Sequence, residues 1–150
     1  MSKILALTSG DPSGIGPELA LACWQLRHLQ DVPPFFLLSD PDLMRSRARR
    51  MAVDVPVEVS EPEAAYSVFA HALPIVPLKA RFTDRPGTPL PQNAAGVVEA
   101  IDRSVEMALS GGASAVVTCP IAKKPLYDAG FAFPGHTEYL AHLAERRTGK

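Results

Sequence analysis

The feature that most constrains this chain is an alternation. Short runs of mostly apolar residues, four or five long, are separated by segments whose apolar residues recur every three or four positions. Ile4 to Leu7, Phe35 to Leu38, Val55 to Val59, Leu73 to Val76 and Ala115 to Thr118 are the runs. Between them, Leu19, Ala22, Cys23, Leu26 and Leu29 predict a helix reaching Leu29, and Asp42 to Met51 predicts another. Pro62 to Phe69 predicts a short one. The clearest helix opens at Asn93, with Val97, Ile101, Val105 and Leu109 stepping by four and Ser110-Gly111-Gly112 closing it. Strands that are apolar throughout and alternate with helices belong to a parallel sheet buried on both faces, which makes the fold class α/β. The run from Ala115 is accordingly expected to be buried.

Proline marks the joints. Fifteen prolines are present, and many stand where an element must start or stop, because proline fixes φ and lacks an N–H. Lys79 to Gln92 is rich in Pro, Gly, Thr and Arg and reads as a loop. Leu126 to Ala129 reads as a helical turn ending at Gly130, and Thr137 to Arg147 as the last helix. Thr148-Gly149-Lys150 is a helix terminus, where an alternating chain should enter another strand. The expectation is therefore a portion of a longer α/β protein.

Charge narrows the partners. With 15 basic and 16 acidic residues the net charge is −1, which gives no electrostatic reason to expect nucleic acid or an anionic membrane. The basic clusters from Arg45 to Arg50 and at Arg146-Arg147 read as solvated helix faces. Two cysteines, no leader-like N-terminus and no apolar run of spanning length point to a cytoplasmic protein with reduced thiols.

Three stretches could carry chemistry. Gly10-Asp11-Pro12-Ser13-Gly14-Ile15-Gly16-Pro17-Glu18 lies between a strand and a helix, where free N–H groups can meet an anion. It is neither the dinucleotide fingerprint, since Leu19 stands where the third glycine should be, nor a P-loop. The alternative is a tight turn, with Glu18 favouring the helix dipole. Thr118-Cys119-Pro120-Ile121-Ala122-Lys123 puts Lys123 just beyond a strand's carboxyl end, where α/β proteins bind ligands. A solvated lysine is the alternative, and Cys119 reads as a packed thiol. In Phe133-Pro134-Gly135-His136-Thr137-Glu138, Thr137 can cap the helix through its hydroxyl, and His136 offers two ring nitrogens. His142 falls on the other side of that helix. His28 and His71 are isolated, and no metal-ligand spacing exists within the chain.

These stretches, in this order and with Asp128-Ala129-Gly130-Phe131 before the last, resemble the 4-hydroxythreonine-4-phosphate dehydrogenase family. The first alone is also similar to a turn of isopropylmalate and isocitrate dehydrogenases. The resemblance implies an isopropylmalate-dehydrogenase-like α/β/α sandwich, with residues 1–150 as the N-terminal portion of a two-domain enzyme. It implies a homodimer whose site is completed by the partner subunit, NAD or NADP as cofactor, and a divalent metal (Zn, Mg or Co). The metal would be held by three histidines lying beyond Lys150. The implied substrate is a small phosphorylated hydroxy acid, 4-phosphohydroxy-L-threonine. Its oxidation and decarboxylation would give 3-amino-2-oxopropyl phosphate for pyridoxine phosphate biosynthesis. By position, His136 and Thr137 match the substrate-contacting pair and Lys123 a catalytic lysine. Asp11 and Gly14 match a cofactor-adjacent turn. Cys119 departs from the small residue common there. Threonate or erythronate 4-phosphate as substrate, a phosphotransacetylase-like acyltransferase, and a non-catalytic fragment are the competing readings.

Overall fold

The computed structural model describes residues 3–150. Five strands form one parallel sheet: β1 (Leu5–Thr8), β2 (Phe35–Ser39), β3 (Val57–Val59), β4 (Leu73–Pro77) and β5 (Ala115–Thr118). Their order across the sheet is β3-β4-β2-β1-β5. Six helices connect or follow them: α1 (Gly16–Gln25), α2 (Pro41–Arg50), α3 (Ala65–Phe69), α4 (Ala94–Ser110), α5 (Lys123–Asp128) and α6 (His136–Thr148). The α/β expectation from the alternation is met. No described helix is long and apolar enough to cross a membrane.

Alternation along the strands sorts the core into two layers. Leu7, Phe35, Leu37, Leu73 and Ile75 face Leu21 and Trp24 of α1 and Met44 and Ala48 of α2. Ala6, Phe36, Leu38 and Val76 point the other way and meet Ala100 of α4. The far side of α4, through Val97, Ile101 and Val105, carries a third cluster with Leu126, Tyr139 and Leu143. Helix α6 thus reaches the body of the protein through α4 rather than through the sheet.

Several boundaries differ from expectation, each for a local reason. Helix α1 stops at Gln25, not Leu29, and Leu29 is 80% exposed. The Arg27 guanidinium lies over the Trp24 ring and donates to the Trp24 and Ala70 carbonyls, while Asp31 takes φ +48 as the chain doubles back to β2. Strand β3 begins only at Val57, after Pro56, whose nitrogen has no proton to give a ladder. Asn93 stands at the cap position of α4, as expected, but its side chain makes no capping bond. It ends a 3-10 turn (Pro91–Asn93), and its amide exchanges two hydrogen bonds with the Thr83 backbone. Leu109 in the last turn of α4 is exposed. Gly111, at φ +87, closes that helix as expected.

The largest departure is β5. Its residues alternate between exposed and half-buried, because it is an edge strand with a neighbour only at β1 among the described residues. An apolar groove of about 140 Å³ beside it is lined by Leu5, Leu7, Cys23, Val32 and Val117.

The expectation of a solvated Arg45–Arg50 face also fails at one position. Arg47 is 1% exposed. It shares the inner face of α2 with Leu43, Met44 and Ala48, all buried.

Candidate ligand site at the carboxyl edge of the sheet

Strand order decides where a ligand can sit. From β1 the chain runs to β2 on one side, and β5 later adds on the other. The carboxyl ends of β1 and β5 therefore lie side by side at the switch point of the sheet, the edge where open α/β folds usually bind ligands. The chain leaving β1 is the glycine turn, and the chain leaving β5 leads to Lys123. The register Thr8↔Thr118 brings the two stretches side by side.

They are in backbone contact. The Asp11 N–H donates to the Pro120 carbonyl at 3.0 Å. Gly10 takes φ +68, and a Cβ there would stand 2.2 Å from the Pro120 oxygen. A Cβ on Gly16 would stand 1.9 Å from the Ser9 oxygen and 2.9 Å from the Cys119 Cβ. A Cβ on Gly14 would meet nothing closer than 3.4 Å. The steric demand for glycine thus falls on Gly10 and Gly16. Cys119 is packed, with its Sγ 3.9 Å from the Gly16 carbonyl. Burial, and next the charge of Cys23, push its thiol up to about 11, so it is protonated at neutral pH.

Asp11 is buried, and its Oδ1 accepts the Ser13 N–H at 2.7 Å. Burial raises its pKa, and the Ser13 bond only partly opposes this. Its carboxylate is spent on shaping the turn. Ser13 ties that turn to the Lys79–Gln92 loop: its hydroxyl donates to the Thr88 carbonyl and its carbonyl accepts the Gly87 N–H. Glu18 does more than favour the helix dipole, since its carboxylate lies 3.4 Å from Arg47.

Lys123 is exposed and opens α5 instead of preceding a later turn, because the chain is already helical from Lys123. It lines a cavity with Pro89, Pro91 and Asp128. Lys124 is engaged by Asp128 at 2.8 Å, whereas Lys123 has no ion-pair partner among the described residues.

His136 is the first residue of α6, with extended Gly135 at the cap position. Thr137 is two residues too deep to cap and makes no capping bond; it is exposed. The ring of His136 is half-buried, and its Nε2 is buried without a hydrogen-bond partner among the described residues. Burial lowers its pKa, so the imidazole is neutral at physiological pH. On either side of the helix start, Phe131, Phe133 and Tyr139 form an aromatic cluster with centroids 4.9 to 5.5 Å apart. The Tyr139 hydroxyl donates to Asp102 of α4. Burial first, then Asp102, raises the Tyr139 pKa. The fold brings the first two stretches into backbone contact. His136 and Thr137 stand apart at the start of α6, and no described cavity is lined by both Lys123 and His136.

Arg47 and Asp84 were not expected at this site. Arg47 had a sequence signal, an arginine on the apolar side of its own helix. Asp84, inside the loop, had none. For a metal, the chemistry of the donors decides: among the described residues no three His, Cys, Asp or Glu side chains come together. The residues present do not form a metal site.

A parallel sheet with its loops gathered at a switch point defines a ligand-binding α/β unit. The chain belongs to the family described as pyridoxal phosphate biosynthetic protein PdxA, whose model matches residues 31–149. A protein of Methylorubrum populi named 4-hydroxythreonine-4-phosphate dehydrogenase is 54% identical over 144 residues, covering 95% of this chain and 41% of that protein. One of the same name from Xanthobacter autotrophicus is 40% identical over 142 residues, covering 95% and 41%. A Klebsiella pneumoniae crystal structure under that name aligns with TM-score 0.80 at 30% identity, over 96% of this chain and 45% of that one. The Burkholderia phymatum structure under that name aligns at 0.86 with 23% identity, covering 96% and 44%, and shows the shared fold. The chain thus spans about two-fifths of the length of these relatives.

Proposed function

We propose that residues 1–150 are the N-terminal portion of a two-domain, NAD(P)- and divalent-metal-dependent dehydrogenase. It oxidises 4-phosphohydroxy-L-threonine, with decarboxylation to 3-amino-2-oxopropyl phosphate. Family membership supports the reaction class. The observation that carries the assignment to this chain is the buried, unpartnered Nε2 of His136. A buried polar atom without a partner is costly, and a substrate oxygen would satisfy it once the start of α6 shifts to admit it.

In this reading His136 and Thr137 bind and orient one polar end of the substrate. That is a positioning contribution made before any bond breaks. A neutral imidazole serves this purpose at neutral pH by giving or accepting one hydrogen bond without a buried charge. Lys123, exposed beside the switch point, supplies a cation for a carboxylate or phosphate. Asp11 and Gly14 keep the turn at the start of α1 in shape beside the cofactor. The metal ligands of this reading lie beyond Lys150, and no catalytic step is assigned to a metal held by this chain. The reading also places the enzyme in the cytoplasm as a homodimer.

The test compares substrates. A protein extended to the length of its relatives is assayed for NAD(P)+ reduction with 4-phosphohydroxy-L-threonine and with erythronate 4-phosphate. Preference for the first, lost by about a hundredfold or more in His136→Ala, is the expected result. Preference for the second moves the assignment to the sugar-acid phosphates. Kinetics unchanged in His136→Ala would remove His136 from the site.

A further inference from the structure

Arg47 sits under the glycine turn with its charge out of water. Its Nη2 donates to the Pro12 carbonyl at 2.6 Å and to Asp84 at 3.2 Å. Its Nη1 donates to the Gly14 carbonyl at 3.1 Å and to Glu18 at 3.4 Å. Asp84 is held in turn by the Ser46 hydroxyl at 2.6 Å and by Arg50 at 3.3 Å. Burial works against the Asp84 charge, but Ser46, Arg47 and Arg50 outweigh it and hold the carboxyl below its ordinary range. One guanidinium therefore fastens α2, the turn, the start of α1 and the 79–90 loop.

Stability alone is a poor reason for this arrangement. A buried ion pair is often no more stabilising than an apolar group of equal volume, and the Arg47 Nε has no partner among the described residues. What the planar fork supplies is direction. Every peptide here is trans, so a carbonyl held toward Arg47 turns the following N–H away from it. The Ser13 N–H so turned is taken by Asp11. The Ile15 N–H is left as a donor with no acceptor among the described residues, on a residue 56% exposed.

We propose that Arg47 is the positioning residue of the switch-point turn. It sets the peptide planes at Pro12–Ser13 and Gly14–Ile15 and, through Asp84, fastens the loop from Thr83 to Thr88 to that turn. Turn and loop become one wall-like unit beside the Lys123 cavity, which Pro89 and Pro91 line. A lysine, a point charge without the fork, cannot hold two carbonyls and two carboxylates together. That this wall meets the cofactor rests on the dehydrogenase reading; the positioning itself does not.

The test uses the 150-residue chain, its amide spectrum and hydrogen exchange. In Arg47→Met, which fills the space without the fork, the Ile15 and Gly87 resonances shift. Exchange of the Gly87 N–H, which is bonded to the Ser13 carbonyl, quickens by about tenfold or more, relative to the core amides of Leu37 and Ile75. Arg47→Lys behaves like Arg47→Met. Adding ethylguanidinium to Arg47→Ala returns both resonances toward wild type. Wild-type spectra in Arg47→Met, or exchange that quickens uniformly over the whole chain, overturn the proposal. If the Arg47 variants do not fold, Asp84→Asn decides: Gly87 and Thr88 loosen while Ile15 does not, and an unchanged Gly87 overturns the coupling. NAD+ titration of the protein extended to the length of its relatives separates the two claims. Weaker NAD+ binding by its Arg47→Met variant extends the positioning to the ligand, and equal binding removes that extension. If the extended wild-type protein binds no NAD+, the dehydrogenase reading loses support while the spectra still decide Arg47.

Discussion

The two halves of the candidate site both place a glycine just before or within the first turn of a helix, yet different forces hold them. The turn into α1 is fixed by close approach of main chain to main chain: Gly16 lies against Ser9 and Cys119, and Gly10 against Pro120. The start of α6 is fixed by side chains. Tyr139 and Leu143 pack on α4, Tyr139 bonds Asp102, and no side chain caps the helix. The first half has little room to move without disturbing the sheet, whereas the second moves with α6. A ligand that reaches both would meet one part fixed by the sheet and one part carried by an outlying helix.

The strongest way to break this contrast is to put a methyl group on each glycine. Gly16→Ala should cost about 3 kcal/mol, because backbone must shift. In Gly135→Ala the new Cβ meets nothing nearer than Glu138 Oε2 at 3.6 Å, and φ is extended at −177°. That variant should cost about 0.5 kcal/mol or less. Urea midpoints measure both, and equal costs would erase the distinction. Next in size is Tyr139→Phe, expected to lose about 1 kcal/mol with the Asp102 bond. A neutral outcome would mean that α6 is held by apolar packing alone. Thr137→Ala should change stability by less than about 0.5 kcal/mol, whereas a loss near 1 kcal/mol would restore Thr137 as a cap.

The smallest effect concerns pH. Burial sets the folded-state pKa of His136 below its unfolded value of about 6.5. The unfolded chain therefore takes up the proton first as pH falls. The contribution of His136 is intact above about pH 6.5 and is lost as pH falls through the folded-state value. A ring-proton titration with a midpoint below about 6.5 is the expected result, and one at or above it would place the ring in water.

Much of this was legible in the sequence because it depends on short-range patterns. The runs at Phe35 and Leu73 are buried strands, and Gly111 caps α4. The glycine turn and Lys123 do stand at the carboxyl ends of neighbouring strands. What escaped depends on distant partners. Nothing near Ala115 distinguishes an edge strand from a central one, since that is decided by what lies beside it. Asp84 owes its role to Ser46, Arg47 and Arg50, more than thirty residues away in sequence. Thr137 lost its capping role to a two-residue shift, a helix boundary that composition does not resolve.

The bare side of β5 has a practical consequence for anyone handling this polypeptide. Ala115-Val116-Val117-Thr118 offers a row of unpaired peptide groups with no charge, proline or bulge among them to discourage a newcomer. Beside it, Ile15, Leu19, Cys23 and Leu26 of the α1 region lie exposed in a stripe. Such an edge is adhesive. The concentration at which the chain stays dispersed will be governed by these few residues, however firmly the interior is packed.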